Sequence, residues 1–176
     1  MRIAYADPPY LGCAAKLYGH LHPDAAEYDR IETHARLIER LSDEHDAWAL
    51  SLSTPSLQAL LAVCPTDVRV GAWVKPFCSF KPGVNPAYAW EPLIYRGARK
   101  KRGREAMTVR DWVACGITRQ RGLTGAKPAA VCHWMFELLG ARRDDTFTDV
   151  FPGSGAVQRA WEQWRDQGSL LSDSVA

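Results

Sequence analysis

Short apolar runs alternate along this chain with stretches whose apolar residues recur at steps of three and four, and that alternation constrains the fold more than any other property of the sequence. Residues 1–5 (MRIAY) predict a strand, and Tyr28, Ile31, Ala35, Ile38 and Leu41 mark a helix with one buried face, with Pro23 near its start. A strand over 47–52 (AWALSL) precedes a helix running from Thr54-Pro55 to residue 63, the threonine as cap and the proline in first position. Strands over 69–75 (RVGAWVK) and 89–95 (AWEPLIY) follow, separated by a Pro- and Gly-punctuated stretch. Thr108 as cap with Asp111 three positions on predicts a short helix over 108–115. Pro128 opens a helix closed by Gly140, 146–151 (TFTDVF) is a strand, 156–167 a last helix, and 169–172 a final short strand. The pattern predicts one α/β domain with a mostly parallel sheet and helices on both faces.

At 176 residues the chain is long enough to bury a single core. No apolar run approaches the length of a membrane span, and an acid and two prolines stand where a signal peptide carries its apolar stretch, so the expected location is cytoplasmic. Five scattered cysteines (Cys13, Cys64, Cys78, Cys115, Cys132) include no C-x-x-C pair, which indicates neither a disulfide framework nor a cysteine zinc site. They are expected to be reduced and mostly buried, and no metal is expected.

Charge is unevenly spread. Between Arg96 and Lys127 stand ten cations (Arg96, Arg99, Lys100, Lys101, Arg102, Arg104, Arg110, Arg119, Arg121, Lys127) against Glu105 and Asp111, so this segment is +8 and leaves −6 for the rest of a chain whose total is +2. Such a concentration points to a polyanion, of which nucleic acid is the commonest in the cytosol.

Two stretches carry the chemistry. The first strand is stopped by Asp7-Pro8-Pro9-Tyr10, where the prolines remove N–H donors and stiffen the backbone after an acid. The strand over 146–151 runs through Asp149, Val150 and Phe151 into Pro152-Gly153-Ser154-Gly155 at a helix start. A turn of that kind lets backbone approach a ligand closely and points N–H groups at it.

Together these stretches resemble the S-adenosyl-L-methionine-dependent amino-methyltransferases that act on exocyclic nitrogens of adenine or cytosine in DNA. That family carries an Asp-Pro-Pro-Tyr at one strand end, a D-x-F-x-G-S-G at another, and a Lys-Pro opening the helix before the glycine strand, here Lys127-Pro128. Trp90, Glu91 and Pro92 resemble the W-E-x-L-I strand of related enzymes without naming a catalyst, and Lys75-Pro76 reads as a strand end, with the mouth of the pocket as the alternative. The order, Asp-Pro-Pro-Tyr first and glycine turn last, is similar to circularly permuted members of bacterial or phage type and to the messenger-RNA adenosine methyltransferases.

The resemblance implies a Rossmann-like methyltransferase domain over 1–176. Its catalytic half would be 1–95, a basic target-recognition insert 96–127 and a cofactor-binding half 128–176. It implies that Asp7 and the Pro8 carbonyl accept hydrogen bonds from the target amino group, that Pro9 helps fix them, and that Tyr10 stacks on a flipped base. Asp149, Phe151, Gly153, Ser154, Gly155, Lys127 and Pro128 would serve the cofactor, with Asp173 holding the ribose or, failing it, Glu162 or Asp166. Arg99, Lys100, Lys101, Arg102, Arg104, Arg119 and Arg121 would contact nucleic acid, expected to be double-stranded DNA read over a brief target, and a homodimer could supply further surface.

The expected activity is adenine N6 methylation of DNA. The alternatives are cytosine N4 or RNA adenosine as target, and a catalytically silent nucleic-acid-binding module. His20 and His22 are expected in the loop after Tyr10, His34 and His45 at the surface, His133 either in the core or near the cofactor, and Trp161 and Trp164 in the core.

Overall fold

A computed structural model describes residues 1–20, 22–77, 82–100, 108–117 and 126–166. Apolar alternation on the strands builds a six-stranded sheet from β1 (Arg2–Ala6), β2 (Ala47–Ser51), β3 (Arg69–Val74), β4 (Trp90–Arg96), β5 (Trp112–Ala114) and β6 (Thr146–Asp149), in the order β5-β3-β4-β2-β1-β6. β1 lies parallel to β2 and β6, β3 parallel to β5, and β4 antiparallel to both its neighbours. Reversal of β4 brings its first residues, Trp90 and Glu91, to the edge where the other five strands end.

Odd and even strand residues face opposite ways. On one face Ile3, Tyr5, Ala47, Ala49, Trp73, Leu93 and Tyr95 pack under α4 (Ala129–Leu139) and α5 (Ala156–Asp166), where Phe136, Phe147, Trp161 and Trp164 form a cluster of ring contacts. The other face buries Ala4, Ala6, Trp48, Leu50 and Ile94 under α2 (Ile31–Glu44) and α3 (Leu57–Ala62). Helices on both faces are thus as the alternation predicts, and α4 ends at Gly140 in a left-handed cap (φ +66°).

Several expectations are corrected. The predicted helix over 108–115 is an edge strand: Ala72 donates to the Asp111 carbonyl (2.9 Å), Cys115 to that of Val74 (3.1 Å), and Val113 packs on the core, so pairing with β3 overrides a local helix signal. A short helix, α1 (Ala14–Tyr18), and a 3₁₀ segment (Pro23–Asp29) occupy the loop after Tyr10, locked together by the Asp29 carboxylate accepting from Ala14 N and Ala15 N, each at 2.9 Å. Thr54 opens a 3₁₀ turn rather than capping α3. His34 is buried, not superficial, because its Nε2 meets the Tyr28 carbonyl at 2.9 Å and its ring edge packs on Tyr28. Of the four described cysteines, which form no disulfide, only Cys132 is fully buried. The final strand over 169–172 and Cys78 lie outside the described residues.

At the edge remote from Asp7, Asp145 is sealed under the chain start. Its carboxylate accepts from the Met1 ammonium, from both terminal nitrogens of Arg99 (3.0 and 2.8 Å) and from Arg142 N (2.7 Å). Burial works against ionisation, but these donors prevail and hold the carboxyl down to about 2.

Candidate active site

β1 delivers Asp7 just past its last residue, and two prolines then turn the chain so that Tyr10 doubles back over it. The Tyr10 hydroxyl lies 3.1 Å from Asp7 Oδ1 and 2.8 Å from Glu91 Oε1, its one proton shared between two acceptors, and it accepts from Lys127 Nζ at 3.1 Å. Lys127, buried just ahead of α4, also places its ammonium 3.2 Å from Asp7 Oδ1 and hydrogen-bonds Glu91 Oε1. Glu91 Oε2 receives Lys75 Nζ at 3.0 Å. The Trp73 ring lines the cluster, with Lys75 Nζ 4.5 Å and Lys127 Nζ 5.6 Å from its centroid.

Two carboxylates and two ammoniums make the cluster neutral, which is what allows it to be enclosed. Burial, with Glu91 adding to it, raises the Asp7 pKa above the ordinary carboxylate range against the pull of Lys127. Glu91 feels the same burial, but Lys127 and Lys75 outweigh it and keep its carboxyl low. Burial would lower Lys127; Asp7 and Glu91 more than reverse that, so its ammonium persists.

Glu91 and Trp73 received no role from the sequence, and Lys75 only the alternative of lining the pocket mouth. Their signal was present, an acid opening one strand and a cation closing another, but only the reversed direction of β4 sets them against Asp7. Lys127 was expected on the cofactor side; here its ammonium meets Asp7, Tyr10 and Glu91.

The glycine turn stands beside this cluster. Asp149 ends β6 and is the register partner of Tyr5 in β1, and Val150 N donates to the Tyr5 carbonyl at 2.9 Å, so the two motifs sit at neighbouring strand ends. Gly153 (φ +43°) and Gly155 (φ +69°) take backbone conformations that L side chains rarely adopt, and Gly155 N closes the turn on the Pro152 carbonyl. A Cβ built on Gly153 would meet only the Phe151 carbonyl, at 3.8 Å, so the turn is open to an approaching group.

Phe151 N donates to Asp149 Oδ1 at 3.3 Å, while Asp149 Oδ2 is buried with no hydrogen-bond partner. Burial raises this carboxyl to about 6, with Asp7 adding to the shift. An unpaired buried acceptor beside an open glycine turn fits a ligand carrying an ammonium group. Phe151 is further held by the edge of Tyr28, with ring centroids 5.6 Å apart.

Pro8 is buried, Pro9 half-buried, and Pro128 caps α4. Ser154 lies within the turn. Glu162 receives Gln158 and Asp166 pairs with Arg165 on the exposed side of α5. Arg99 is committed to Asp145 and the Gly140 carbonyl at the far edge, with exposed Lys100 next to it. Lys101, Arg102, Arg104, Arg119, Arg121 and Asp173 lie outside the described residues. His20 and His22 are exposed beyond α1, and His45 and His133 are half-buried. Among the described residues no three His, Cys, Asp or Glu side chains gather to hold a metal ion, and no helix is long and apolar enough to cross a membrane.

No family model matches the chain, and no curated protein matches it. Solved structures do. M1.HpyAVI in its complex with SAM (S-adenosylmethionine) superposes with a TM-score of 0.61 at 13% identity, over 93% of this chain and 78% of that one. A second structure of M1.HpyAVI gives 0.57 at 13% identity, over 93% and 76%. The chain therefore has the Rossmann-like α/β fold that its sequence implied, and shares it with M1.HpyAVI.

Proposed function

We propose that this protein is an S-adenosylmethionine-dependent methyltransferase acting on adenine N6 in DNA, of the permuted type, with the clamp at Asp7 preceding the glycine turn. The observation that carries the reading is the adjacency of Asp7 and the Asp149–Gly155 turn at the ends of hydrogen-bonded strands. The fold shared with a protein solved in complex with SAM supports it.

An exocyclic amino nitrogen is a weak nucleophile because its lone pair is delocalised into the ring. Asp7 and the Pro8 carbonyl, aimed by a backbone that two prolines stiffen, accept its two N–H bonds and draw the nitrogen towards tetrahedral geometry. Tyr10 offers its ring as the stacking surface for a base that has left its own stack. Glu91 fixes the Tyr10 hydroxyl and Lys127, and Lys75 neutralises Glu91. The bound cofactor supplies an electrophilic sulfonium methyl group. Asp149 Oδ2 takes its ammonium, and the turn from Phe151 to Gly155 seats its methionine end. Residues 96–127 serve target recognition, and the shortness of that segment limits the bases it can read to a brief site.

Mass spectrometry of nucleosides from DNA and RNA incubated with protein and methyl-labelled cofactor tests the reading. Labelled N6-methyladenine from DNA is the expected product. N4-methylcytosine or a methylated ribonucleoside would move the activity to another base or polymer, and no product with no heat of cofactor binding would leave a silent binding module.

A further inference from the structure

Among the described residues, the sheet is covered on both faces over β1 and β2, but not over β3 and β5. On β3 the odd residues Gly71 and Trp73 are buried under α4, while the even residues run Val70 exposed, Ala72 and Val74 half-buried. Register places Trp90 and Ala114 on either side of Val74, and Trp112 beside Ala72. Trp90, Val70 and Trp112 are 39%, 36% and 44% exposed, and Ala114 is exposed as well. Two indoles therefore stand at the corners of an open apolar sheet face, and the Arg110 guanidinium lies over the Trp112 ring, 5.4 Å from its centroid.

We infer that this open face of β3, β4 and β5 binds single-stranded DNA, with Trp90 and Trp112 as stacking platforms for successive unpaired bases. The partner follows from charge and from spacing. Of the ten cations between 96 and 127, Arg96, Arg99 and Lys127 are committed to Asp67, Asp145 and the Asp7 cluster, which leaves seven against two acids, and of these Arg110 lies over the Trp112 ring, so a phosphate beside that indole finds positive charge. Strand spacing and rise put the two tryptophans about 12 Å apart, against about 3.4 Å between stacked bases, so each ring takes a base already separated from its neighbours. Only an unpaired strand offers such base faces; a duplex buries them.

A second copy of the chain is the other occupant that such a face invites. A two-fold contact through β5 would set the same basic segment against itself, which like-charge repulsion opposes. Position also favours the strand. Trp90 is followed directly by Glu91, whose side chain turns to the opposite face and joins the Asp7 cluster, so a strand seated on Trp90 needs only to cross the sheet edge to present its next base to Tyr10. The inference rests on the methyltransferase reading only for what that base then undergoes.

Fluorescence anisotropy with labelled oligodeoxythymidine tests the face. Thymine has no exocyclic amino group, so binding is read independently of methyl transfer. Trp112→Ala and Trp90→Ala are each expected to weaken binding about tenfold, Trp112→Tyr to restore most of it, and Trp112→Ala to leave cofactor binding by calorimetry unchanged. The inference is overturned by a wild-type chain that binds duplex but not oligodeoxythymidine. It is also overturned if both alanine variants bind like wild type, or if sedimentation shows Trp112→Ala splitting a dimer while oligonucleotide affinity stays the same. Weakened variants in a protein that yields no methylated nucleoside would uphold the face and remove the methyltransferase reading.

Discussion

Lys127 holds its ammonium 3.2 Å from Oδ1 of Asp7, the carboxylate that the proposed reaction offers to the target amine. The same nitrogen reaches Tyr10 and Glu91, so one cation satisfies all three acceptors of the ligand-free cluster. Removing it leaves two buried carboxylates, with Lys75 paired to Glu91 and no cation on Asp7. Lys127→Met is therefore expected to lower methyl transfer about 100-fold and to move the acidic limb of the pH–rate profile upward, because Asp7 then ionises at higher pH. A profile measured over the acid to neutral range checks the direction.

Asp7→Asn keeps the shape of the clamp but turns one acceptor into a donor facing the amine. Methyl transfer should fall by about 10² to 10³ while S-adenosylmethionine binding, followed by calorimetry, stays within a few-fold of wild type. Equal loss of both would place Asp7 on the cofactor side instead.

Asp149 titrates at about 6, raised chiefly by burial. An ammonium ligand pairs with its ionised form only, so cofactor affinity is expected to rise with pH through that value. Below it the dissociation constant should worsen by up to about tenfold per pH unit, and above it the dependence should flatten. Asp149→Asn should bind weakly at every pH and lose the slope. Calorimetric titrations across this range decide the matter.

The Asp145 carboxyl is depressed to about 2 by Arg99, the Met1 ammonium and the Arg142 N–H. A depressed acid stabilises the fold above its ordinary range and loses that contribution as pH falls through the folded value. Thermal melts should show the wild-type melting temperature dropping between about pH 4 and 2. Asp145→Asn is expected to be about 2–3 kcal/mol less stable at neutral pH and flatter over that acidic interval.

Much of the frame was legible because β1, β2, β3 and β6 are short apolar runs and α2, α4 and α5 repeat their apolar residues at helical spacing. β5 was not, since Thr108 and Asp111 imitate a helix start and only the neighbouring β3 backbone selects the extended form. Nor does any residue in AWEPLIY encode that β4 runs backwards; that depends on partners on both sides, and with it goes the role of Glu91. Asp7 and the glycine turn could be read because backbone chemistry demands proline and glycine there. The partners of Lys127 could not, because a lysine before a proline specifies where a chain starts a helix and says nothing of what its ammonium meets.

β1 is hydrogen-bonded to β6, Arg2 opposite Thr146 and Tyr5 opposite Asp149. During synthesis, then, β1 leaves the ribosome well before its partner and keeps one raw edge until β6 follows. Nascent chains halted before β6 carry the Asp7 clamp with no seat beside it and an unpaired strand flank exposed to chance partners, so they should be the aggregation-prone species in the life of this protein.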